Sequence, residues 1–400
     1  MEHRHYKNVS EIPKPPAYVM RPSMHFLWLT FVVIGVVTFI FGLKIDANRA
    51  WHNYLLNYFY WMALGLSGVF FVALQHITSA RWSVPFRRVP EAFVAYLPIA
   101  FILFLVLLTG VHSLYEWSHP QEVLKDVLLK GKMPYLNLPF FTGRNIVFLS
   151  VWMGTGFWFL KNSLRQDVSG SVGLTILNKT ISAPFLVFFG ISFTLASFDL
   201  LMSLEAHWFS TIFGVYCFAG LFQSGLAMMI VLVIALRRQG ALQHVVNENH
   251  LHDLGKLMFA FTVFWAYIAF SQYMLIWYAN LPEETGYLIR RTEGHWTPVA
   301  LALLICKFVI PFFMLICRPA KRNENFLLFV ALWILGAQWI DCYWMIYPLL
   351  GDKPVFGWQE IGLFLGFMGL FALSVTWILQ RVQAVPMKDP RLLEGVNHHQ

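Results

Sequence analysis

The run HDLGKLMFAFTVFWAYIAFSQYMLIWYA, residues 252–279, decides how the chain is read. His252, Asp253 and Lys256 stand together at its start; beyond Lys256 the run is apolar or aromatic apart from Thr262, Ser271 and Gln272. About 20 such residues are what an α-helix needs to cross the hydrocarbon core of a bilayer. Charges at the mouth and lipid-soluble side chains beyond them predict a transmembrane helix that begins at a membrane surface.

The composition extends that reading to the whole chain. Of its 400 residues 58% are hydrophobic and 12% charged, where soluble domains carry about 25% charge. Ten comparable runs can be marked, at 24–43, 53–78, 90–113, 145–165, 178–200, 209–237, 251–278, 296–317, 325–349 and 358–381. The expected fold class is an all-α polytopic membrane protein with ten transmembrane helices. The 16 Trp suit aromatic belts at two interfaces. The net charge of +8 comes from loops between apolar runs, which argues for topology signals rather than nucleic-acid binding. Cys217, Cys306, Cys317 and Cys342 show no C-x-x-C spacing, against disulfides or a zinc site. The apolar stretch from Met24 is too long for a signal-peptide core, and no small-residue cleavage pattern follows it.

An even number of spans puts both termini on one side. That side would hold nineteen Lys and Arg, Arg4 and Arg391 among them, against nine on the other. By the positive-inside rule both termini are expected in the cytoplasm. The expected organisation is a Pro-rich tail (1–23), a flanking helix (24–52), two units of four spans (53–200 and 201–349), a second flanking helix (350–381) and a C-terminal tail (382–400). Two loops on the opposite side are long. In residues 118–141, Val123, Leu124, Val127 and Leu128 recur at helical spacing after Pro120, which predicts an amphipathic surface helix. The loop PEETGYLIRRTEGHW (282–296) gathers Glu283, Glu284, Arg290, Arg291 and Glu293, as a docking surface or a solvated turn.

The two four-span units echo each other. YWMALGLSG (60–68) and YCFAGLFQSG (216–225) both place Ala three residues after Tyr and end in Ser-Gly. ASFDLLM (196–202) and AQWIDCYWM (337–345) each set one aspartate after an Ala-polar-aromatic run. Matching spans lie four apart and point the same way, so spans 2–5 and 6–9 are expected to be parallel repeats, each a four-helix bundle.

Ionisable groups inside the membrane are costly, about 2.5–3.5 kcal/mol even on lenient scales, and so demand a partner or a function. Lys307 sits at the middle of the eighth span, and Asp341 lies in the ninth with Gln338 one turn before it. Gln223 and Gln272 are further intramembrane polar groups, and His76 marks the tail-side end of the second span. At 100° per residue Tyr267 returns to the azimuth of Lys256 and Ser271 falls within about 60° of it. A polar stripe climbing from His252, Asp253 and Lys256 towards Lys307, Asp341, Asp199 and Gln272 is the expected proton path. An ion pair anchoring a helix end is the simpler reading of Asp253 and Lys256, and a buried salt bridge to Asp341 or Asp199 the simpler one of Lys307. There is no C-x-x-C-H, no cysteine set for an iron–sulfur cluster, and no nucleotide-binding glycine loop.

SFDLLMSLEAHWFSTIFGVYCFAG (197–220), WSVPFRRVPEA (82–92) and the run 252–285 resemble the large membrane subunits of bacterial alternative complex III, most of all its ActF-type subunits. These belong to the NrfD, or polysulfide-reductase, membrane-subunit group. The resemblance covers nearly the whole chain. It implies two four-helix bundles with two flanking helices in the bacterial cytoplasmic membrane, no covalently bound cofactor, and menaquinol or another quinol at or near the subunit. Implied partners are a sister subunit of like fold, an iron–sulfur/molybdopterin-like extrinsic protein, multihaem and monohaem cytochromes c, and small membrane subunits. Haems and iron–sulfur clusters would sit on those partners. Asp199 then matches the motif aspartate, Asp253 and Lys256 the paired charges, and Glu283 and Glu284 the loop acids. A quinol site would need a base near the ring, for which His112, Glu116 and Asp199 are candidates, with Glu205 beside them. The expected function is a scaffold and proton-conducting subunit of a quinol-oxidising complex. The alternatives are the quinone-reactive subunit itself and a free-standing proton-coupled transporter. Against the last, no Gly/Pro-broken helices occur at matching places in the two halves.

Overall fold

The computed structural model describes residues 5–399; Arg4 and the rest of residues 1–4 lie outside the described residues. Among the described residues ten long helices follow one another: α1 Pro22–Ile45, α2 Ala47–Ile77, α3 Val84–Leu108, α4 Leu138–Ser169, α5 Val172–Leu200, α6 Phe213–Arg238, α7 Glu248–Ala279, α8 Gly294–Ile316, α9 Glu324–Leu349 and α10 Trp358–Leu379. All but α4 are long and apolar enough to cross a membrane, so the chain is an all-α, multi-pass membrane protein, with no strand among the described residues. Helix α4 has the length, at 32 residues. Arg144, Asn145, Lys161 and Asn162, around a centre containing Gly154, Thr155 and Gly156, make it less apolar than the other nine.

Side-chain caps set the helix limits. Asp46 accepts from the Arg49 N–H ahead of α2, Asn137 from Phe140 ahead of α4, and Asn323 from Phe326 ahead of α9. Asn247 opens α7 with a capping box, its side chain accepting from the His250 N–H while His250 Nδ1 accepts from the Asn247 N–H. Gly170 ends α4 and Asn280 ends α7 in left-handed conformation, the usual device for turning a chain off a helix.

Helix α2 runs through the middle, packed on α3, α5, α6, α9 and α10. Helices α2, α3, α4 and α5 pack in a ring, as do α6, α7, α8 and α9, while α1 lies along α10. The repeated Ser-Gly pairs mark a crossing: Gly225 of α6 backs directly onto Ser67 of α2, so the two helices touch where side chains are smallest. Helix α10 carries Gly362 and Gly366 four residues apart, opposite Thr38 and Gly35 of α1. A side chain at 366 would meet the backbone of Gly35. Gly366→Leu is therefore expected to part α1 from α10 and destabilise the chain by about 1–3 kcal/mol. Thermal unfolding in detergent reads this out, and an unchanged midpoint would mean that α1 is not held by this contact.

Both tails lie at one end of the bundle and touch. The Tyr6 N–H donates to Asn397 Oδ1 at 3.0 Å, and Asn397 Nδ2 donates to the Tyr6 carbonyl at 2.7 Å. Beneath them is a buried charge network. Arg87 donates to Asp389 at 2.6 Å and to Glu91 at 3.0 Å, while Arg88 binds Glu91 and Asp167. Burial alone would push the Asp389 carboxyl up. Arg87 and Arg391, with the Arg391 backbone N–H, outweigh it and hold the group below its ordinary value of 3.8. A carboxyl depressed in the folded state stabilises fully above the unfolded value and loses that contribution as pH falls through the folded one. The C-terminal tail should therefore resist proteolysis down to strongly acidic pH and be released below about 4. Release already at about pH 6 would show that another group controls docking.

On the opposite, far face the expected surface helix is two short ones, Pro120–Lys125 and Val127–Lys132. Pro120 does open the first. Asp126 breaks the run because its Oδ1 accepts from the Leu128 and Leu129 N–H groups and starts a new helix. Val123 and Leu129 are consequently the buried residues, whereas Leu124, Val127 and Leu128 face outward, which corrects the single apolar face expected from spacing. The loop 282–296 forms the helix Pro282–Thr292. It is docked by buried Arg291, which pairs with Glu205 at 2.5 Å, and by Tyr287 stacked 3.7 Å from Trp208.

Candidate functional site

Lys307 sits on a distortion of its helix. Within α8, Leu304–Val309 is π-helical. Pro311 has no N–H and its ring would press on the carbonyl four residues back, which is that of Lys307. Widening the turn makes room for the ring, and π turns of this kind recur at functional sites.

The Lys307 ammonium has no exposed surface. It forms an ion pair with Asp341 of α9, donates to Gln338 Oε1 at 2.5 Å, and lies 4.2 Å from the centre of the Trp265 ring of α7. Asp341 is equally well used: the Tyr216 hydroxyl of α6 donates to its Oδ1, and Trp265 Nε1 donates to its Oδ2 at 3.2 Å. Four helices thus converge on one buried charge pair, and neither charge faces hydrocarbon. Gly220 permits the approach, since a side chain there would come within 2.7 Å of Gln338 Oε1.

Polar groups continue along α6. Tyr216, Gly220 and Gln223 are four and seven residues apart, on one helical face over about 10 Å. Gln223 Nε2 donates to Thr262 of α7 at 2.9 Å, while its Oε1 is buried without a partner among the described residues. Towards the far face a cleft of about 450 Å³ opens beside Tyr216 and Trp265. Gln272, Tyr273, Tyr287 and Trp344 also line it. Towards the tails the polar file stops: Leu254 and Met258 are the inward residues of α7 between Thr262 and Asp253. That interval is nine residues, about 13 Å.

At the tail end Asp253 pairs with Lys256 at 2.6 Å and with His398 of the C-terminal tail at 2.7 Å. His252 is buried with Nδ1 unpaired among the described residues. The tail therefore lies across the mouth from which the stripe was expected to climb. Tyr267 does share the side of Lys256, but that side faces out of the bundle, and Tyr267 is 64% exposed. Ser271 is half-buried and joins no internal cluster. The internal file thus follows α6 instead of the expected α7 stripe. Helix α7 is apolar nearly all round, so its periodicity could not show which side faces inward.

The proposed quinone ligands do not converge. Asp199 is buried and held by Arg144 in two hydrogen bonds, at 2.7 and 3.1 Å, with Asn145 donating at 3.1 Å. Glu205 binds Arg291 and Arg290. His112 and Glu116 are at the surface, because Val111 and Leu114 take the buried side of that turn and leave His112 to bond Ser118 at 3.0 Å. His76 joins a separate buried cluster in which Asn178 Nδ2 lies 3.5 Å from its Nε2 and Asn162 donates to Asn178 at 2.8 Å. Tyr216 and Trp265 escaped the sequence reading; the spacing of Tyr216, Gly220 and Gln223 was the one available signal. No group of three metal-ligating side chains occurs among the described residues. No family model and no curated protein matches the chain.

Proposed function

We propose that the chain is a membrane subunit of a quinol-oxidising electron-transfer complex of the alternative complex III type. It supplies a scaffold and a proton-conducting path through its second half. The observation that carries the reading is the wholly buried Lys307–Asp341 pair at a π turn, with Gln338 on the lysine, Tyr216 on the aspartate and Trp265 against both. A charge pair with exchangeable donors on both sides can pass a proton without exposing charge to lipid. The file from Gln223 to Tyr216 opens on the far-side cleft, and the apolar interval at Leu254 and Met258 separates it from the tail-side mouth, so the path is gated there.

Parity supports reading ten crossings. The tails meet on one side, nine helices among the described residues are apolar enough to span, and an odd number would part the tails, so α4 is read as the tenth. The parallel repeat has matching support. Asp199 of α5 pairs with Arg144 of α4 near the far face, and Asp341 of α9 pairs with Lys307 of α8 deeper in the bundle, so the matching helices four on are each joined by an ion pair. In this reading the termini are cytoplasmic, the membrane is the bacterial inner membrane, and the partners are the sister NrfD-like subunit, the iron–sulfur/molybdopterin-like protein and the cytochromes c that the sequence resemblance implies.

The cleft favours a second reading, in which this subunit binds the quinol itself. Its aromatic walls and the Tyr216 hydroxyl suit a quinol ring. Ala269→Trp fills the cleft. The expected result for a scaffold subunit is copurification with haem proteins and unchanged quinol oxidation. Copurification with quinol oxidation abolished would move the chemistry here, and a chain isolated without redox partners would overturn both readings.

A further inference from the structure

A second, larger groove lies on the other side of the bundle from the charge pair's cleft. It holds about 990 Å³ between α1, α2, α6, α9 and α10, and the N-terminal strap Tyr18–Arg21 crosses one end. With about 30 Å³ for a water-sized group, that is room on the order of thirty methylenes. The groove extends about 16 Å along α6, from Met228 to Gln239, and about 18 Å along α10, from Phe364 to Thr376. Half the hydrocarbon core of a bilayer is about 15 Å. The groove is therefore one leaflet deep. At mid-membrane it stops against an aromatic floor, where Trp61 packs 5.5 Å from Phe364 and 5.3 Å from Phe371.

Its two ends differ in chemistry. Along the walls the Tyr60 hydroxyl donates to the Leu335 carbonyl at 3.0 Å and Thr376 donates to the Ala372 carbonyl at 2.5 Å, while on the floor Trp61 Nε1 is buried without a partner among the described residues. At the strap end stand Arg21 and Arg238. Arg238 is oriented by Glu324 and Asn325, each at 2.6 Å. Arg21 has no side-chain partner among the described residues, and no acid lines the groove. The strap itself is fixed, with Pro16 against Gly240 and Tyr6 bonded to the C-terminal tail. Two guanidinium groups over a leaflet-deep apolar slot complement an anionic head with acyl chains.

We infer that this groove binds one anionic phospholipid, its phosphate held by Arg21 and Arg238 and its chains lying against α2, α6 and α10. A transmembrane helix from a partner would need a groove through both leaflets, and an isoprenoid tail would have no use for the arginines. The inference rests on membrane residence and is independent of the electron-transfer reading.

The test is lipid analysis of the full-length chain, purified in its native assembly and washed extensively in detergent. The wild type should retain roughly one phosphorus-containing lipid per chain at this site. Arg21→Ala should weaken retention about fivefold, and adding phosphatidylglycerol, but not phosphatidylcholine, should raise the thermal midpoint of delipidated wild type. Gly336→Leu projects into open space in the groove wall and should exclude the chains while the protein elutes as a normal monodisperse peak. Equal retention in wild type and both variants overturns the inference. So does a retained molecule without phosphorus, equal rescue by both lipids, or a partner helix cross-linking to a cysteine at 336.

Discussion

Lys307→Met lowers the stability of the chain by about 3–5 kcal/mol, because it leaves the Asp341 carboxylate buried with two neutral donors and no cation. Removing one partner of a buried pair costs far more than removing the pair, since the remaining charge has lost its counterion and cannot reach water. Lys307→Met/Asp341→Asn should accordingly recover most of the loss. The asparagine oxygen still accepts from Tyr216 or Trp265, and nothing charged remains. Thermal unfolding in detergent measures both variants. A single variant as stable as wild type would show that water already reaches Asp341 and that the pair is not dry.

The second large effect is expected at the other aspartate. Arg144→Leu removes two hydrogen bonds from Asp199 and leaves Asn145 as its remaining donor. It also strips the cation from between the rings of Tyr135 and Phe140, 3.8 and 4.1 Å away. The loss should again be about 3–5 kcal/mol, and Arg144→Leu/Asp199→Asn should restore most of it. The two halves should differ in conduction. The restored Arg144 variant should conduct protons normally, because Asp199 is closed in by a bidentate arginine and opens on no polar file. Impaired conduction in a stable Arg144→Leu/Asp199→Asn protein would mean that both halves carry protons.

The parts that the sequence made legible are those where a physical cost is visible one residue at a time. A lysine midway along an apolar run must be buried or bridged, and Asp341 with Gln338 one turn away is the polar pair at suitable depth. What stayed hidden depends on neighbours. Trp265 carries no mark in a chain that is 17% aromatic and Tyr216 only its spacing from Gly220 and Gln223; their role exists only because α6 and α7 bring them to Asp341. The azimuth shared by Lys256 and Tyr267 was sound as helix geometry, yet a helix apolar on every side does not announce its inward face. Asp126 could cap a helix or sit within one, and the choice fell to backbone hydrogen bonds that spacing cannot weigh. The π turn, too, is not written in Pro311 alone, since Pro184 sits inside α5 without one.

In the proposed function the buried pair passes protons and does more than hold α8 to α9. Its most direct test is the proton-to-electron ratio of the complex in sealed vesicles, measured for wild type and for Lys307→Met/Asp341→Asn in the same preparation. The variant is expected to oxidise quinol with a reduced ratio, because electrons still flow while the route through this chain is cut. A variant that oxidises quinol and moves as many protons per electron as wild type would contradict it.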